Sequence, residues 1–473
     1  MSNVPSGNLQ GDGIGARLLG AWELYAFAFG ATIGGSWIVL VGTWLLLAGP
    51  AGAAVAFAIG AIEALVVGFS YAELASLYPV IGGELVFAKR IFGASTAHAV
   101  GWGLVLLYLA LVGFEAVSVS WIIGAMFSGL LGPTLYSVGG ADIHLGAVLL
   151  GLGFSIVIAL TNYRGAQSAG RLQDFLTIGK IVIAAVFIGF GLKASHLANF
   201  APLFGAKEGA QSLAAFFVLL GSTPLYFAGF SMITQAMGEA KPQEYARLGR
   251  ILIAVILSAM LFYLLIIVVV AGLVPSARLA SYELPAVQAF DAAFGMRAIT
   301  NVVLIMALLG LMTVWNATFF AGIRVLEGMA SEGLIDGKWI LRRDPQQSRV
   351  APVLLMFVAC IVGALIGRPL LLPIVSVAGL VITLLFLFVC IACLVRRRRQ
   401  DLARAPYEVP GGAATMIGGI VLSLLLVCTS LFGMFSNTGK SFPPELYVIL
   451  WWSALGYIVW RRGTGRRARG VAG

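Results

Sequence analysis

Gly30-Ala31-Thr32-Ile33-Gly34-Gly35-Ser36 lies inside a hydrophobic run from about Ala21 to Leu47. The run is long enough to cross a bilayer, yet three glycines sit near its middle. Glycine lowers helix propensity by about 1 kcal/mol relative to alanine. In lipid, an interrupted helix is tolerated only where protein or a water-filled cavity satisfies the freed backbone groups. A second candidate break, Tyr226-Phe227-Ala228-Gly229-Phe230, falls in a later run that begins near Leu213. Two interrupted spans at corresponding places in two halves of a chain point to a transporter binding site. The other reading of the glycines is a GxxxG packing face, Gly30 to Gly34, on an unbroken helix. Both readings stay open on these residues alone.

The chain has 473 residues, 60% of them hydrophobic and only 11% charged, with a mean hydropathy of +0.99. Soluble domains carry about 25% charged residues, so one polytopic membrane domain is expected. The first residues, Met1 to Gly15, are polar and Gly-rich, and the first apolar run is too long for a signal-peptide core. It reads as a retained span. A net charge of +10 does not imply nucleic acid, because the basic residues fall at span ends. The blocks Arg396-Arg397-Arg398-Arg399 and Arg461-Arg462 follow apolar runs, which is topology information with contact to anionic head groups as a further use. The four cysteines, Cys360, Cys390, Cys393 and Cys428, lie in apolar runs, and the three histidines, His98, His144 and His196, are scattered. No metal site and no cofactor are expected, since a lone CxxC without a second pair or a nearby histidine is a poor zinc site.

Apolar runs near the required length of about 20 residues lie at 20–47, 51–77, 97–128, 144–161, 172–192, 212–237, 249–274, 297–326, 350–366, 370–395, 414–435 and 444–462. The expected fold is an all-α polytopic membrane protein with twelve transmembrane helices. Most of the 30 lysines and arginines fall in segments that are cytoplasmic when both termini are inside. Among them are Arg17, Lys89, Arg90, Arg164, Arg171, Lys241, Arg247, Arg324, Arg342 and both arginine blocks. That asymmetry predicts an inner-membrane protein with cytoplasmic termini. If spans 1–5 and 6–10 are two repeats, their odd span number makes them inverted. The expected organisation is a cytoplasmic segment 1–18 and a transport core 19–395, with repeats at about 19–193 and 212–395. Then follow a loop and helices 11–12 over 396–462, and a basic tail 463–473.

A helix restarting after Gly34 would present the amides of Gly34, Gly35 and Ser36 at an N-terminus in mid-membrane, suited to a carboxylate. Carbonyls released just before it, from Ala31 and Thr32, would face a cation, and those of Tyr226 and Phe227 near Gly229 would do the same. A zwitterionic amino acid fits such a site without any charged side chain. Lys180 lies within span 5, where a charge costs about 2.5–3.5 kcal/mol on insertion scales and so tends to serve a function. Its alternative is snorkelling, since it is some two turns from the cytoplasmic end of the run. Glu63 and Glu115, in spans 2 and 3, are candidates for proton relay, for attracting a cationic substrate, or for protonated packing groups. Trp315, Asn316 and Thr313 of span 8 line the same cavity or glue helices together.

Several stretches together resemble the amino acid–polyamine–organocation (APC) superfamily of secondary transporters. They are Gly30-Ala31-Thr32-Ile33-Gly34 and Tyr71-Ala72-Glu73-Leu74-Ala75 with Pro79, Gly82, Gly83 and Glu84. The others are Asn162-Tyr163-Arg164-Gly165, Gly229-Phe230 with Glu239-Ala240-Lys241-Pro242, Arg324 through Gly333, and Pro406-Tyr407-Glu408-Val409-Pro410. The resemblance implies a five-plus-five inverted repeat, helices 1 and 6 unwound at the substrate, two extra C-terminal helices and alternating access. It also implies that Lys180 occupies the place of a sodium ion beside span 1. Three departures concern substrate choice and gating. Gly34-Gly35-Ser36, followed by Trp37, stands for the usual Gly-Ser-Gly. Ser231 stands where the family often has a glutamate, and Met237-Gly238-Glu239 replaces an AEE.

These readings converge on a secondary transporter of amino acids or related amines, proton-coupled or an exchanger, whose partners are its small-molecule substrate, the lipid bilayer and protons. The absence of a GxxxxGK[ST] motif argues against a nucleotide-driven pump. The rival from another class is a membrane sensor that keeps the site without net transport. An enzyme lacks a plausible catalytic cluster.

Overall fold

A computed structural model describes residues 19–205, 210–279, 282, 284–342, 350–399, 404–436 and 442–470. The expected segments 1–18 and most of 463–473 lie outside, or at the edge of, the residues whose side chains are described.

The helices in chain order are α1 (Ala21–Thr32), α2 (Trp37–Leu77), α3 (Glu84–Phe92), α4 (Ala94–Met126), α5 (Leu145–Tyr163), α6 (Ala166–Ala194), α7 (Ala210–Phe227) and α8 (Ile233–Ala236). They continue with α9 (Leu248–Leu273), α10 (Ser276–Leu279), α11 (Pro285–Phe294), α12 (Arg297–Ser331), α13 (Gly337–Ile340), α14 (Val350–Arg398), α15 (Ala413–Ser436) and α16 (Pro444–Gly470). Among the described residues, 10 helical segments are long and apolar enough to cross a membrane. This is an all-α polytopic membrane protein, as its composition requires.

α2 has 41 residues, which at 1.5 Å per residue is roughly 60 Å, twice the thickness of a bilayer core. It is divided at Gly49, whose φ of 70° and ψ of 172° leave the helix just before Pro50. Only glycine takes that backbone without strain, and a Cβ there would also lie 2.6 Å from the Leu203 carbonyl oxygen. α14, with 49 residues, is divided likewise at Gly367 (φ 69°) ahead of Pro369.

One element departs from the all-α expectation. Strands β1 (Thr134–Val138) and β2 (Ala141–His144) form an antiparallel hairpin between α4 and α5. Its turn, Gly139-Gly140, has both φ values positive, 56° and 82°, the geometry that a two-residue type I′ hairpin demands.

α1 is enclosed by α6, α9, α12 and the 3-10 segment Ala228–Met232. Its residues Ala26 to Thr32 are all buried, so the chain that follows lies inside protein and away from lipid. That enclosure is what lets a helix break in mid-membrane.

Candidate functional site around the break in the first helix

α1 stops at Thr32, Ile33 is extended (φ −103°, ψ 95°), and α2 starts at Trp37. The break is therefore real. The reading of Gly30 and Gly34 as one GxxxG face on an unbroken helix is thereby corrected: the glycines pack closely, but Gly30 faces α6 and Gly34 faces α12. A Cβ on Gly30 would lie 2.0 Å from Gln173 Nε2 of α6, and one on Gly35 would lie 2.8 Å from the Ala307 carbonyl oxygen of α12. Gly34 has more room: its Cβ would meet Val314 Cγ2 at 3.1 Å.

Lys180 sits on the carbonyls freed at the break. Its Nζ donates to the carbonyls of Ile33 (2.8 Å) and Gly30 (3.3 Å) and to Thr313 Oγ1 (3.0 Å), and it lies 5.2 Å from the Phe29 ring centroid. The residue is 1% exposed and stands 14 residues into α6, about 21 Å from its start. The side chain turns inward onto these oxygens and does not reach the protein surface, which argues against snorkelling. No carboxylate pairs with it among the described residues; three oxygens of the site do the compensating.

The carbonyl of Thr32 accepts from Tyr263 Oη (2.9 Å), which also lies 3.3 Å from the Tyr226 carbonyl oxygen. One hydroxyl of α9 thus ties the two candidate breaks together. Trp44 Nε1 donates to Tyr226 Oη (3.2 Å) within an aromatic group of Trp44, Phe57, Tyr226 and Tyr263.

The second break differs from expectation. After Phe227 the chain does not unwind: it tightens into a 3-10 segment, Ala228–Met232, before α8. Gly229 packs directly on the first break, where a Cβ would lie 2.1 Å from the Thr32 nitrogen. Its role here is close approach of two backbones. Ser231, where a carboxylate was noted as missing, turns its hydroxyl back to the Ala228 carbonyl (2.9 Å).

Ala31 and Thr32 meet Gly229 directly, and Tyr226, followed by Phe227, is tied to Thr32 through Tyr263. Gly34 and Gly35 instead pack against α12, and Ser36 precedes the first residue of α2. The remaining candidates are spread out. Asn316 belongs to a polar layer between helices: its Nδ2 donates to Gln173 Oε1 (2.9 Å) and the Ala169 carbonyl (3.0 Å), and its Oδ1 accepts from Asn162 (3.0 Å). Trp315 is fully buried, with its indole beside the Cys360 thiol of α14. Glu63 accepts from Ser423 Oγ of α15 (2.9 Å). Glu115 is buried on α4 and has no hydrogen-bond partner among the described residues. It adjoins a cavity of about 530 Å³ that includes Val39, Ser120, Trp121, Asp142 and His144, beyond the end of α4 and under the hairpin. No break residue lines that cavity.

Several ionic contacts give the quoted motifs a physical reason. Glu73 accepts from Arg397 Nε (2.9 Å), Arg396 Nη1 (3.2 Å) and the Val409 amide (2.8 Å). Two of the four clustered arginines are thus committed to a buried carboxylate and not to head groups. Arg324 of α12 pairs with Glu239, at the end of the α8 region, and with Glu327. Lys89 pairs with Glu332. Backbone bonds from Leu19 N to the Glu239 carbonyl (3.1 Å) and from Lys241 N to the Leu19 carbonyl (2.9 Å) tie the start of α1 to the same region.

A polytopic helical protein with an interrupted helix buried inside its bundle, its freed carbonyls turned on an ammonium, has the build of a small-solute permease. The profile of the amino acid permease family matches residues 19–460. The branched-chain amino acid permease BcaP of Bacillus subtilis is 29% identical over 406 residues, covering 84% of each chain. The inner membrane transport protein YbaT of Escherichia coli is 26% identical, over 90% of this chain and 93% of its own. The methylthioribose transporter of Bacillus subtilis is 27% identical, over 68% and 69%. The chain belongs to the amino acid permease family of the APC superfamily.

Proposed function

We propose that the protein is a secondary active transporter of neutral amino acids that works by alternating access and couples to protons or exchanges substrates. The observation that carries this reading is the Lys180 ammonium on the carbonyls of Gly30 and Ile33. A resident cation there leaves no vacancy for sodium and offers a proton-binding amine. The substrate carboxylate would meet the amides of Gly34, Gly35 and Ser36, and its ammonium the carbonyls of the Ala31–Thr32 and Tyr226–Phe227 region. The surroundings supply Trp44, Tyr226 and Tyr263 and no free carboxylate at the break, which favours an uncharged side chain. The similarity to a branched-chain amino acid permease agrees with that chemistry.

The topology proposed is twelve spans. Residues 21–48 count as one span across the break, α2 and α14 are split at Gly49 and Gly367, and α16 is the last. Spans 1–5 and 6–10 form the inverted repeats, with both termini cytoplasmic. On that orientation the ion pairs of Glu73, Glu239 and Glu332 close the cytoplasmic end.

Uptake of labelled leucine into proteoliposomes, with and without an inward proton gradient and with and without sodium, tests the reading. Gradient-stimulated, sodium-independent accumulation is expected. Binding of leucine without accumulation or exchange would overturn it.

A further inference from the structure

We propose that Glu84 is a second proton site, separate from Lys180, which couples the contact between α3 and the second half of the sixth span to pH. This inference rests on the transport reading above and adds a residue to it.

The turn before α3 is wedged against moving parts. Gly83 has a φ of 52°, and a Cβ on it would lie 2.5 Å from both Gln235 Nε2 and Thr234 Oγ1 of α8. A Cβ on Gly238 would lie 2.6 Å from Ile81, and one on Gly328 of α12 would lie 2.8 Å from Gly82 Cα. No rearrangement of the segment that follows Gly229 can leave this turn untouched. Glu84 is the first residue of α3 and is fully buried.

The Glu84 carboxyl sits in a buried polar group with Thr234, Gln235 and Tyr71. Oε2 accepts from Gln235 Nε2 (2.6 Å) and lies 3.2 Å from the Thr234 hydroxyl, which also reaches the Ser231 carbonyl at 2.8 Å. Glu84 Oε1 and Gln235 Oε1 are both buried acceptors with no donor. The Tyr71 hydroxyl, also buried, faces the Glu84 carboxyl. A proton on Glu84 adds a donor beside Gln235 Oε1, which has none. The ionisable groups facing Glu84 are Tyr71 of α2 and Tyr108 of α4. The charged groups of the adjoining region, Arg324, Glu239 and Glu327, pair with one another. Among the described residues no cation offsets the burial of an ionised Glu84, which favours the neutral acid.

Burial pushes the Glu84 carboxyl up to about 7. If the turn parts from α8 and water enters, the carboxyl returns to ordinary acidity and gives up its proton near neutrality. The closed contact therefore takes up a proton and the open one releases it. By linkage, low pH favours the closed contact and high pH favours its opening. Glu84→Gln keeps a neutral group that accepts from Gln235 and cannot titrate.

The test is counterflow of labelled leucine in proteoliposomes as a function of pH, on the parent, on Glu84→Gln and on Gln235→Leu. The parent rate is expected to show an inflection near pH 7, set by the weakened acidity of the buried Glu84 carboxyl. The inflection should be lost in Glu84→Gln while exchange persists. It should move to higher pH in Gln235→Leu, which removes a donor to the ionised form. Superimposable profiles for all three proteins would overturn the proposal, whereas a parent that exchanges no leucine at any pH would count against the transport reading instead. Infrared titration of the purified parent is independent of transport and of whether Glu84→Gln folds. A buried protonated-carboxyl band that fades as pH passes about 7, and moves upward in Gln235→Leu, supports Glu84. A band that is absent, or unmoved in Gln235→Leu, refutes it.

Discussion

The ammonium of Lys180 lies 2.8 Å from the carbonyl oxygen of Ile33, so a side chain of α6 caps a carbonyl that the break in α1 leaves free. The same nitrogen reaches back across the break to Gly30 and across to Thr313 of α12. Three helices therefore share one charge. Any change in that charge alters the forces on the broken segment directly, which is the requirement for coupling a proton to a substrate site.

Lys180→Ala should abolish uptake driven by a proton gradient while leaving the fold intact. Loss of the amine leaves the Ile33 and Gly30 carbonyls without their donor, a cost of about 1–3 kcal/mol. Removal of a buried charge offsets part of it. Comparing gradient-driven uptake with thermal unfolding of the purified variant separates the two effects. Retention of the parent's pH-dependent uptake would refute the assignment.

Gly34→Leu should block substrate binding. A Cβ alone meets Val314 Cγ2 at 3.1 Å, so Gly34→Ala needs only a small shift of one side chain. The further carbons of leucine have no space except the break itself. Equilibrium binding of labelled leucine should be lost in Gly34→Leu and kept, with reduced affinity, in Gly34→Ala. Equal affinity in both variants would remove the amide cradle from the site.

Much of this was legible in the sequence because membrane insertion leaves few solutions. Long apolar runs must be helices, and a lysine within one must be compensated. Lys180 and the Gly30–Ser36 break follow from those rules. The second break was legible only as a place: a glycine pair such as Gly229-Phe230 marks irregular backbone but does not distinguish unwinding from a 3-10 segment. That choice depends on Gly229 meeting Thr32, a contact far away in the chain. Asn316 and Trp315 were legible as polar or bulky residues in a span, not by facing, since α12 is apolar on every side. Glu84 and Glu73 stood out as motif residues, but their partners Gln235 and Arg397 lie more than a hundred positions away. The hairpin carried a local signal, Gly139-Gly140, that the surrounding apolar runs obscured.

Tyr263→Phe should weaken substrate binding with little loss of stability. The hydroxyl is the donor to the Thr32 carbonyl (2.9 Å) and lies against the Tyr226 carbonyl (3.3 Å), while its ring packs with Trp44 and Phe57. Phenylalanine keeps the ring contacts and deletes one hydrogen bond worth about 1 kcal/mol, roughly a factor of five in affinity. Leucine titrations on parent and variant measure it. An unchanged dissociation constant would mean that the two segments hold their relation without this bridge.

Arg324→Ala should destabilise the protein more than any of these, and the loss should be recoverable. Its guanidinium stands between Glu239, at the end of the sixth span, and Glu327 of its own helix, and it lies 4.9 Å from the Phe320 ring centroid. Without it, two largely buried carboxylates face each other unpaired, and breaking a buried pair costs about 3–5 kcal/mol. Neutralising them should restore most of that cost, because the penalty lies in the stranded charges and less in the lost packing. Thermal unfolding of Arg324→Ala, of Glu239→Gln with Glu327→Gln, and of all three together closes the cycle. If the triple variant is no more stable than Arg324→Ala alone, stranded charge is not the cause. The loss must then be assigned to the stem of Arg324 packed on Phe320.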